Sequence, residues 1–293
     1  MHRLSPGIIY SSFYMLQHLR QYSSSETEIL SEYRQIYDEN TIDVIEIAEC
    51  CGLIKRSSGE LLITEKGFEY LAAGYEQSYR DILYDYILSI RPSWAGLVTR
   101  GRQECFNYLG IDERTCLFDA GLLENPPGLE VIKWWDKLTS ELRGDKYSDQ
   151  VEIGRSGEYL SVLYETRRTK CMPIWQAIES NLSGYDVLSR KSVTEDKPLL
   201  IEVKASSDNI ENAYAHISTN EWHTAINSET YEFHFWILGK NNSLAVLNQE
   251  LIKPHIPANY GKGEWESVKI PFVLFTDKFA TCDVAPSVYY YMK

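Results

Sequence analysis

The chain has 293 residues, a formal net charge of −13 at pH 7 and 44% hydrophobic residues, which is enough for two domains or three small ones. No apolar run approaches the roughly 20 residues that span a bilayer, and the start lacks a secretory hydrophobic segment. The six cysteines lack the short paired spacings of a zinc site. We therefore expect a cytoplasmic protein with reduced thiols and no membrane contact.

The first predicted elements are a helix over residues 41–54 that ends at Gly52, a hairpin over residues 55–63, and a capped helix over residues 64–71. Glycine is the usual C-terminal stop of a helix. This succession resembles a winged-helix domain, which we place at residues 1–75.

Residues 76–148 show a weaker similarity to this order of helix, hairpin and helix. Residues 111–123 are predicted to form a helix followed by a glycine and two apolar residues. Pro126 and Pro127 then interrupt the regular structure, and residues 131–138 have the pattern of an amphipathic helix. One short echo does not establish a repeat. A degenerate second winged helix and a helical connector both remain open.

The charge distribution bears on whether this N-terminal region binds DNA. Residues 1–150 hold 15 Lys and Arg against 24 Asp and Glu, a net charge of −9, and the remaining residues carry −4. Because duplex binding depends on cationic contacts, the acidic balance favours a protein-contacting role over DNA reading. The candidate nucleic-acid contacts are the local basic residues Lys55, Arg56, Arg100 and Arg102.

The third predicted domain, residues 149–293, has charged residues in a strand whose other residues are apolar and predicted to be buried. Side chains alternate along residues 199–205, so Glu202 and Lys204 share one face. A buried ion pair costs several kcal/mol unless another charge or a metal compensates it. Asp186, on the preceding strand of a predicted hairpin, is placed to be the third charge.

Helices and further strands are predicted around this hairpin. Glu158 lies in the first turn of a helical pattern, a second helix begins at Ser218 or Thr219, and residues 231–238 form another strand. A strand over residues 268–275 and a packing segment over residues 288–292 are predicted to close the domain.

These residues, in this order, resemble the PD-(D/E)xK nuclease superfamily, and more narrowly the domain named after the C-terminal region of the plant protein NO VEIN. The resemblance covers roughly residues 150–240. It is carried by Gly157-Glu158, Gly184-Tyr-Asp186, Ile201-Glu-Val-Lys204 and Ser218-Thr-Asn-Glu-Trp222.

The resemblance implies an α+β or α/β fold, with a restriction-endonuclease-like mixed sheet flanked by helices after the mainly helical N-terminal region. It implies that Asp186 and Glu202 are catalytic metal ligands and that Lys204 is the catalytic lysine. Glu158 would be an auxiliary catalytic carboxylate, and Asn220 and Glu221 a supporting polar pair.

The expected function is a metal-dependent endonuclease that uses Mg²⁺ or Mn²⁺. Mg²⁺ prefers oxygen ligands and lowers the pKa of bound water, and Lys204 would orient the water or stabilise the transition state. The resemblance favours DNA over RNA as substrate and a bacterial restriction or antiviral defence setting.

No Gly-x-x-x-x-Gly-Lys-Ser/Thr loop is present, so any ATPase or helicase partner would be another chain; a homodimer is also compatible with the sequence. The alternative function is a catalytically silent nuclease-fold scaffold or nucleic-acid sensor that acts through protein contacts.

Overall fold

The structure is a computed structural model that describes residues 4–22, 24–32, 35–36, 39–125, 127–144, 149–180, 182–258 and 265–284. The chain divides into two compact units, Met1–Lys146 and Tyr147–Lys293. Pro126 and the predicted packing segment at residues 288–292 lie outside the described residues. No helix in the described ranges is long and apolar enough to cross a membrane.

The first unit is mainly helical, with short strands near its start. Its helices are α1 (Pro6–Gln21), α2 (Glu26–Glu32), α3 (Thr41–Cys50), α4 (Glu65–Ala73), α5 (Tyr75–Ile90), α6 (Ala95–Val98), α7 (Arg102–Tyr108), α8 (Ile111–Asp119) and α9 (Leu129–Arg143). Its strands are β1 (Ser24–Ser25), β2 (Gln35–Ile36), β3 (Glu39–Asn40), β4 (Ile54–Ser57) and β5 (Glu60–Ile63).

The predicted order of helix, hairpin and helix is present as α3, the β4–β5 hairpin and α4. Gly52 ends the α3 region with φ +72°, a left-handed conformation that favours glycine. Strands β4 and β5 pair antiparallel and are joined through Ser58 and Gly59, both with positive φ. The Thr64 hydroxyl then caps α4 by accepting the Gly67 N–H at 3.1 Å.

The second unit contains a six-stranded mixed sheet packed against helices and a separate two-stranded sheet. Its strands are β6 (Ile174–Trp175), β7 (Val187–Arg190), β8 (Pro198–Ser206), β9 (Tyr214–Ser218), β10 (Tyr231–Ile237), β11 (Ser243–Asn248), β12 (Ser267–Pro271) and β13 (Ala280–Thr281). Its α-helices are α10 (Asp149–Thr169), α11 (Gln176–Glu179), α12 (Thr219–Asn227) and α13 (Gln249–Ile252). The predicted α+β class, with a mainly helical first half and a mixed sheet in the second, is confirmed.

The sheet order is β13-β11-β10-β8-β7-β6, and β9 pairs with β12 in a separate two-stranded sheet. β8 and β10 run parallel, whereas β7 is antiparallel to β8, as the predicted hairpin requires. The strand predicted over residues 268–275 is only partly correct. It ends at Pro271, a 3₁₀ helix covers Phe272–Lys278, and the Phe272 N–H makes the last bond to β9's side of the ladder, to the Ala213 carbonyl oxygen at 2.9 Å.

Helix α10 lies directly against β8 because a glycine allows the close approach. A Cβ atom built on Gly157 would lie 2.5 Å from the Ala205 Cβ and 3.5 Å from the Val203 Cγ1. On the same side, the Ser161 hydroxyl accepts the indole N–H of Trp236 at 2.8 Å. The register of α10 on the sheet is therefore set by one steric contact and one buried hydrogen bond.

The close approach gives a prediction about stability. We expect Gly157→Ala to lower the free energy of unfolding by about 1–3 kcal/mol, since the added methyl overpacks the contact with Ala205. Gly154→Ala is the matched control: one turn earlier on α10, its Cβ meets nothing within 4 Å, so it should be neutral or gain up to about 1 kcal/mol in helix propensity. Urea unfolding measures both, and equal losses would contradict the packing.

Candidate active site

Strand β8 carries two charged side chains on the face away from α10. Glu202 is 2% exposed, and its Oε1 accepts a hydrogen bond from the Lys204 Nζ at 2.6 Å. The alternation predicted from the sequence is present, because Leu199, Ile201 and Val203 are buried on the opposite face.

Asp186 lies immediately before β7 and is attached to β8 through the backbone. Its N–H donates to the Ile201 carbonyl oxygen at 2.8 Å, and its Oδ2 accepts the Val203 N–H at 2.8 Å. Because Val187 pairs with Ile201 in the antiparallel register, Asp186 is the neighbour of Glu202 on the same face. The hairpin thus brings the two acids together.

Helix α12 supplies a third carboxylate. The Glu221 Oε2 accepts the Ser218 N–H at 2.6 Å in a capping box, and its Oε1 accepts the Lys204 Nζ at 2.9 Å. Glu221 therefore both starts the helix and binds the lysine. Its neighbour Asn220 lies against the loop at Gly184, where an added Cβ would come 3.1 Å from the Asn220 Nδ2.

Glu158 approaches from α10. Its Oε2 accepts hydrogen bonds from the Trp175 Nε1 at 2.6 Å and from the Arg155 Nη1 at 2.7 Å. Two further groups at the site were not predicted from the sequence. Trp175 lies on the two-residue strand β6. The Tyr231 hydroxyl donates to the Gly184 carbonyl oxygen at 2.7 Å and lies 3.5 Å from the Glu202 Oε2.

One cavity of about 380 Å³ joins these groups. The four carboxylates lie in its wall together with Asn220, and Lys204 is bonded to two of them. The structure therefore brings the six residues predicted from the C-terminal sequence to one place. The charged and amide side chains that line the cavity are Arg155, Glu158, Asp186, Glu202, Asn220 and Glu221.

Burial and mutual repulsion disfavour the charged forms of the two central acids. Burial, reinforced by the negative charge of Glu158, raises the pKa of Asp186 to about 7. The pKa of Glu202 is also raised, by burial and then by Asp186. One lysine does not compensate every acid in the cluster.

The ion pairs act in the opposite direction on Lys204 and Glu221. Burial alone would lower the pKa of Lys204, but the charges of Glu202 and Glu221 outweigh it and raise that pKa. Burial likewise raises the pKa of Glu221, and the contact with Lys204 overcomes it, so the net shift is downward. Lys204 is therefore held in its ammonium form.

The donor chemistry fits a hard divalent cation. Mg²⁺ binds through one or two carboxylates, several waters and substrate phosphate, and Asp186 and Glu202 supply two adjacent carboxylates whose repulsion a cation would relieve. Within the residues that the structure describes, no group of three or more His, Cys, Asp or Glu side chains is arranged to hold a metal ion. The residues therefore fit a metal site in which Asp186 and Glu202 are the two protein ligands.

A comparison with known families finds the same segment. Residues 157–243 match the sequence model of the family described as Protein NO VEIN, C-terminal. This NO VEIN C-terminal segment contains Glu158, Asp186, Glu202, Lys204, Asn220 and Glu221, and it leaves the whole first unit outside the match. No curated protein and no solved structure matches the chain.

The basic residues predicted as nucleic-acid contacts lie in the first unit, outside the NO VEIN C-terminal segment, and differ in their availability. Arg56 on β4 bonds Glu26, with its Nε 3.0 Å from the Glu26 Oε2, and also Glu49. Arg102 is 5% exposed and donates to the Glu124 carbonyl oxygen at 2.7 Å. Lys55 and Arg100 are exposed. The last two are the ones that present charge to solvent.

The raised pKa of Asp186 predicts how a neutral substitute behaves. In EDTA at pH 8 we expect Asp186→Asn to raise Tm by about 2–4 °C, while the amide oxygen still accepts the Val203 N–H. The pKa of the Asp186 carboxyl is about 7 in the folded protein and about 3.9 in the unfolded chain. Because the folded state binds this proton more tightly, the free energy of unfolding falls as the pH rises from about 4 toward 7. The gain should shrink toward pH 5.

Thermal unfolding of both proteins between pH 5 and pH 8 measures this difference. The exposed Asp208, on the loop after β8, gives the matched control: Asp208→Asn should leave Tm unchanged across the range. A loss of stability in Asp186→Asn at pH 8 would show that the Asp186 charge is compensated in the folded protein.

Proposed function

We propose that the chain is a metal-dependent endonuclease of the PD-(D/E)xK type that hydrolyses phosphodiester bonds of nucleic acid, with DNA favoured over RNA. The observation that carries the proposal is the convergence of Asp186, Glu202 and Lys204: both acids line one cavity, and the Lys204 ammonium donates to the Glu202 Oε1 at 2.6 Å. The match of residues 157–243 to the NO VEIN C-terminal family supports it, since the match contains all three residues.

The reaction balances with water alone as co-substrate. A water oxygen forms a bond to phosphorus, the bond from phosphorus to one ester oxygen breaks, and a proton from the water ends on the departing oxygen through solvent. The products are a phosphate monoester and a hydroxyl. The site must therefore activate water, neutralise phosphoryl charge and assist the leaving oxygen.

Each residue has a part in this scheme. Asp186 and Glu202 would hold Mg²⁺ or Mn²⁺, which when bound supplies charge neutralisation and lowers the pKa of a neighbouring water. Lys204 is a compact cation on a flexible stem, and it donates to the attacking water or to a phosphoryl oxygen. Glu221 keeps Lys204 charged and oriented through their 2.9 Å contact, and Asn220 supports the same wall of the cavity.

The first unit suits a protein-contacting role better than DNA reading. Its balance is acidic, and the ion pairs of Arg56 with Glu26 and Glu49 neutralise one of the two cations of β4, the other being the exposed Lys55. We propose a winged-helix-like module that docks a partner such as an ATPase or helicase, in a bacterial restriction or antiviral defence system.

The proposal predicts loss of cutting in a lysine variant. Purified protein incubated with Mg²⁺ or Mn²⁺ and duplex DNA, single-stranded DNA, modified DNA or RNA should give metal-dependent cuts, and Lys204→Met should reduce the rate by at least about 100-fold. The matched control is Lys240→Ala, an exposed lysine of the same unit, which should cut as the native protein does.

Undiminished cutting by Lys204→Met would remove Lys204 from the mechanism. A native protein that cuts nothing but binds a partner tightly would favour the second function, a catalytically silent scaffold or nucleic-acid sensor. The packing of Lys204 between two carboxylates is also compatible with that function.

The role of the first unit gives a second prediction. We expect Lys55→Glu combined with Arg100→Glu to change duplex affinity by less than about twofold, because partner docking does not use phosphate contacts. Fluorescence anisotropy with labelled duplex at several salt concentrations measures it. A tenfold loss with a shallower salt dependence would instead show that these two residues bind DNA phosphates.

A further inference from the structure

Arg155 lines the same cavity as the carboxylates, and the scheme above assigns it no role. Among the lining side chains that the structure describes, it is the only cation. We infer that Arg155 binds a backbone phosphate of the nucleic-acid strand, and that Glu158 and Trp175 are positioning residues for Arg155 rather than parts of the metal site. The inference rests on the proposed function and narrows it.

The Glu158 carboxylate is held by two donors on one oxygen. Its Oε2 accepts from the Arg155 Nη1 at 2.7 Å and from the Trp175 Nε1 at 2.6 Å. Arg155 and Glu158 are 20% and 12% exposed, so water screens this i, i+3 ion pair only partly. The guanidinium therefore has a defined place at the cavity wall.

The indole that completes this arrangement is itself fixed. Trp175 is 4% exposed, pairs with Val187 in the β6–β7 ladder, and stacks against the Tyr159 ring with centroids 5.9 Å apart. Helix α10 is fixed as well, by Gly157 against Ala205 and by Ser161 under Trp236. Arg155 and Glu158 are thus carried on a rigid element, as a binding site requires.

The Glu158 Oε2 is poorly suited to be a metal-ligating atom, because ligation there would displace both of its donors. The Glu158 carboxylate forms an ion pair with Arg155. Its negative charge also raises the pKa of Asp186.

Phosphate is the ligand class that fits the guanidinium. Arginine presents planar N–H donors that match phosphate oxygens in a bidentate way. A strand entering this cavity meets four carboxylates, and Arg155 is the one cationic side chain among the described lining residues. An anionic backbone therefore needs the cation that Arg155 supplies beside any metal.

Two binding measurements and one rate measurement test the inference. Calorimetry with Mn²⁺ reports the metal site. Anisotropy with a labelled 16-base-pair duplex in Ca²⁺ at several salt concentrations reports phosphate contacts, and cleavage in Mg²⁺ gives KM and kcat separately. The variants are Arg155→Gln, Glu158→Gln and their double, with Arg155→Lys as the conservative change and Arg167→Gln, an exposed arginine later on α10, as the matched control.

We expect Arg155→Gln and Glu158→Gln each to weaken duplex binding and raise KM by about tenfold, and to lower the salt slope by about one unit. The double variant should be no worse than either single one, because both changes remove the same contact. Mn²⁺ affinity should change by less than tenfold in each single variant, which removes one nearby charge, and by less than twofold in the double variant, which removes both. Arg155→Lys should recover part of the loss, and Arg167→Gln should behave as native.

The inference is overturned if Glu158→Gln weakens Mn²⁺ binding by tenfold or more, or if Arg155→Gln leaves duplex affinity and salt slope unchanged. It is also overturned if the native protein binds no duplex. Failure of the proposed function looks different: the native protein would bind duplex through Arg155 yet cut nothing in any metal.

Discussion

The Lys204 ammonium is bound between two carboxylates, the Glu202 Oε1 at 2.6 Å and the Glu221 Oε1 at 2.9 Å, and the C-terminal unit depends on that arrangement. Without it, the cluster of Asp186, Glu202 and Glu221 would place three acids together in a sheet-and-helix core with no internal cation. Breaking a buried ion pair by removing one partner typically destabilises a protein strongly, whereas an apolar replacement of the whole pair is often tolerated. A charge cluster of this kind therefore has a better explanation in function than in stability.

The fold supplies the charges of the cluster from three elements. β8 carries Glu202 and Lys204, the turn into β7 carries Asp186, and the capping box of α12 orients Glu221. Helix α10 covers the opposite face of β8, and its charged side chains at the cavity are Arg155 and Glu158. Burial and the uncompensated charge of the neighbouring acids raise the pKa of Asp186 to about 7.

Local pattern was sufficient to predict the elements that carry the central charges. The alternation in residues 199–205 predicts that Glu202 and Lys204 share a face, and Ser218 followed by Glu221 predicts the start of α12. Arg155 and Trp175 could not be predicted in this way, because their roles depend on a tertiary contact through Glu158. The burial of Arg102 was equally hidden, since its acceptor is the Glu124 carbonyl 22 residues away.

The central claim is that Asp186 and Glu202 together hold one divalent cation beside Lys204. Anomalous diffraction from crystals soaked in Mn²⁺ tests it most directly, because the metal position is read without reference to activity. The account predicts one strong anomalous peak within about 2.5 Å of a carboxylate oxygen of both Asp186 and Glu202. A peak ligated by Glu158 instead, or no peak at these two carboxylates in fully soaked crystals, would contradict it.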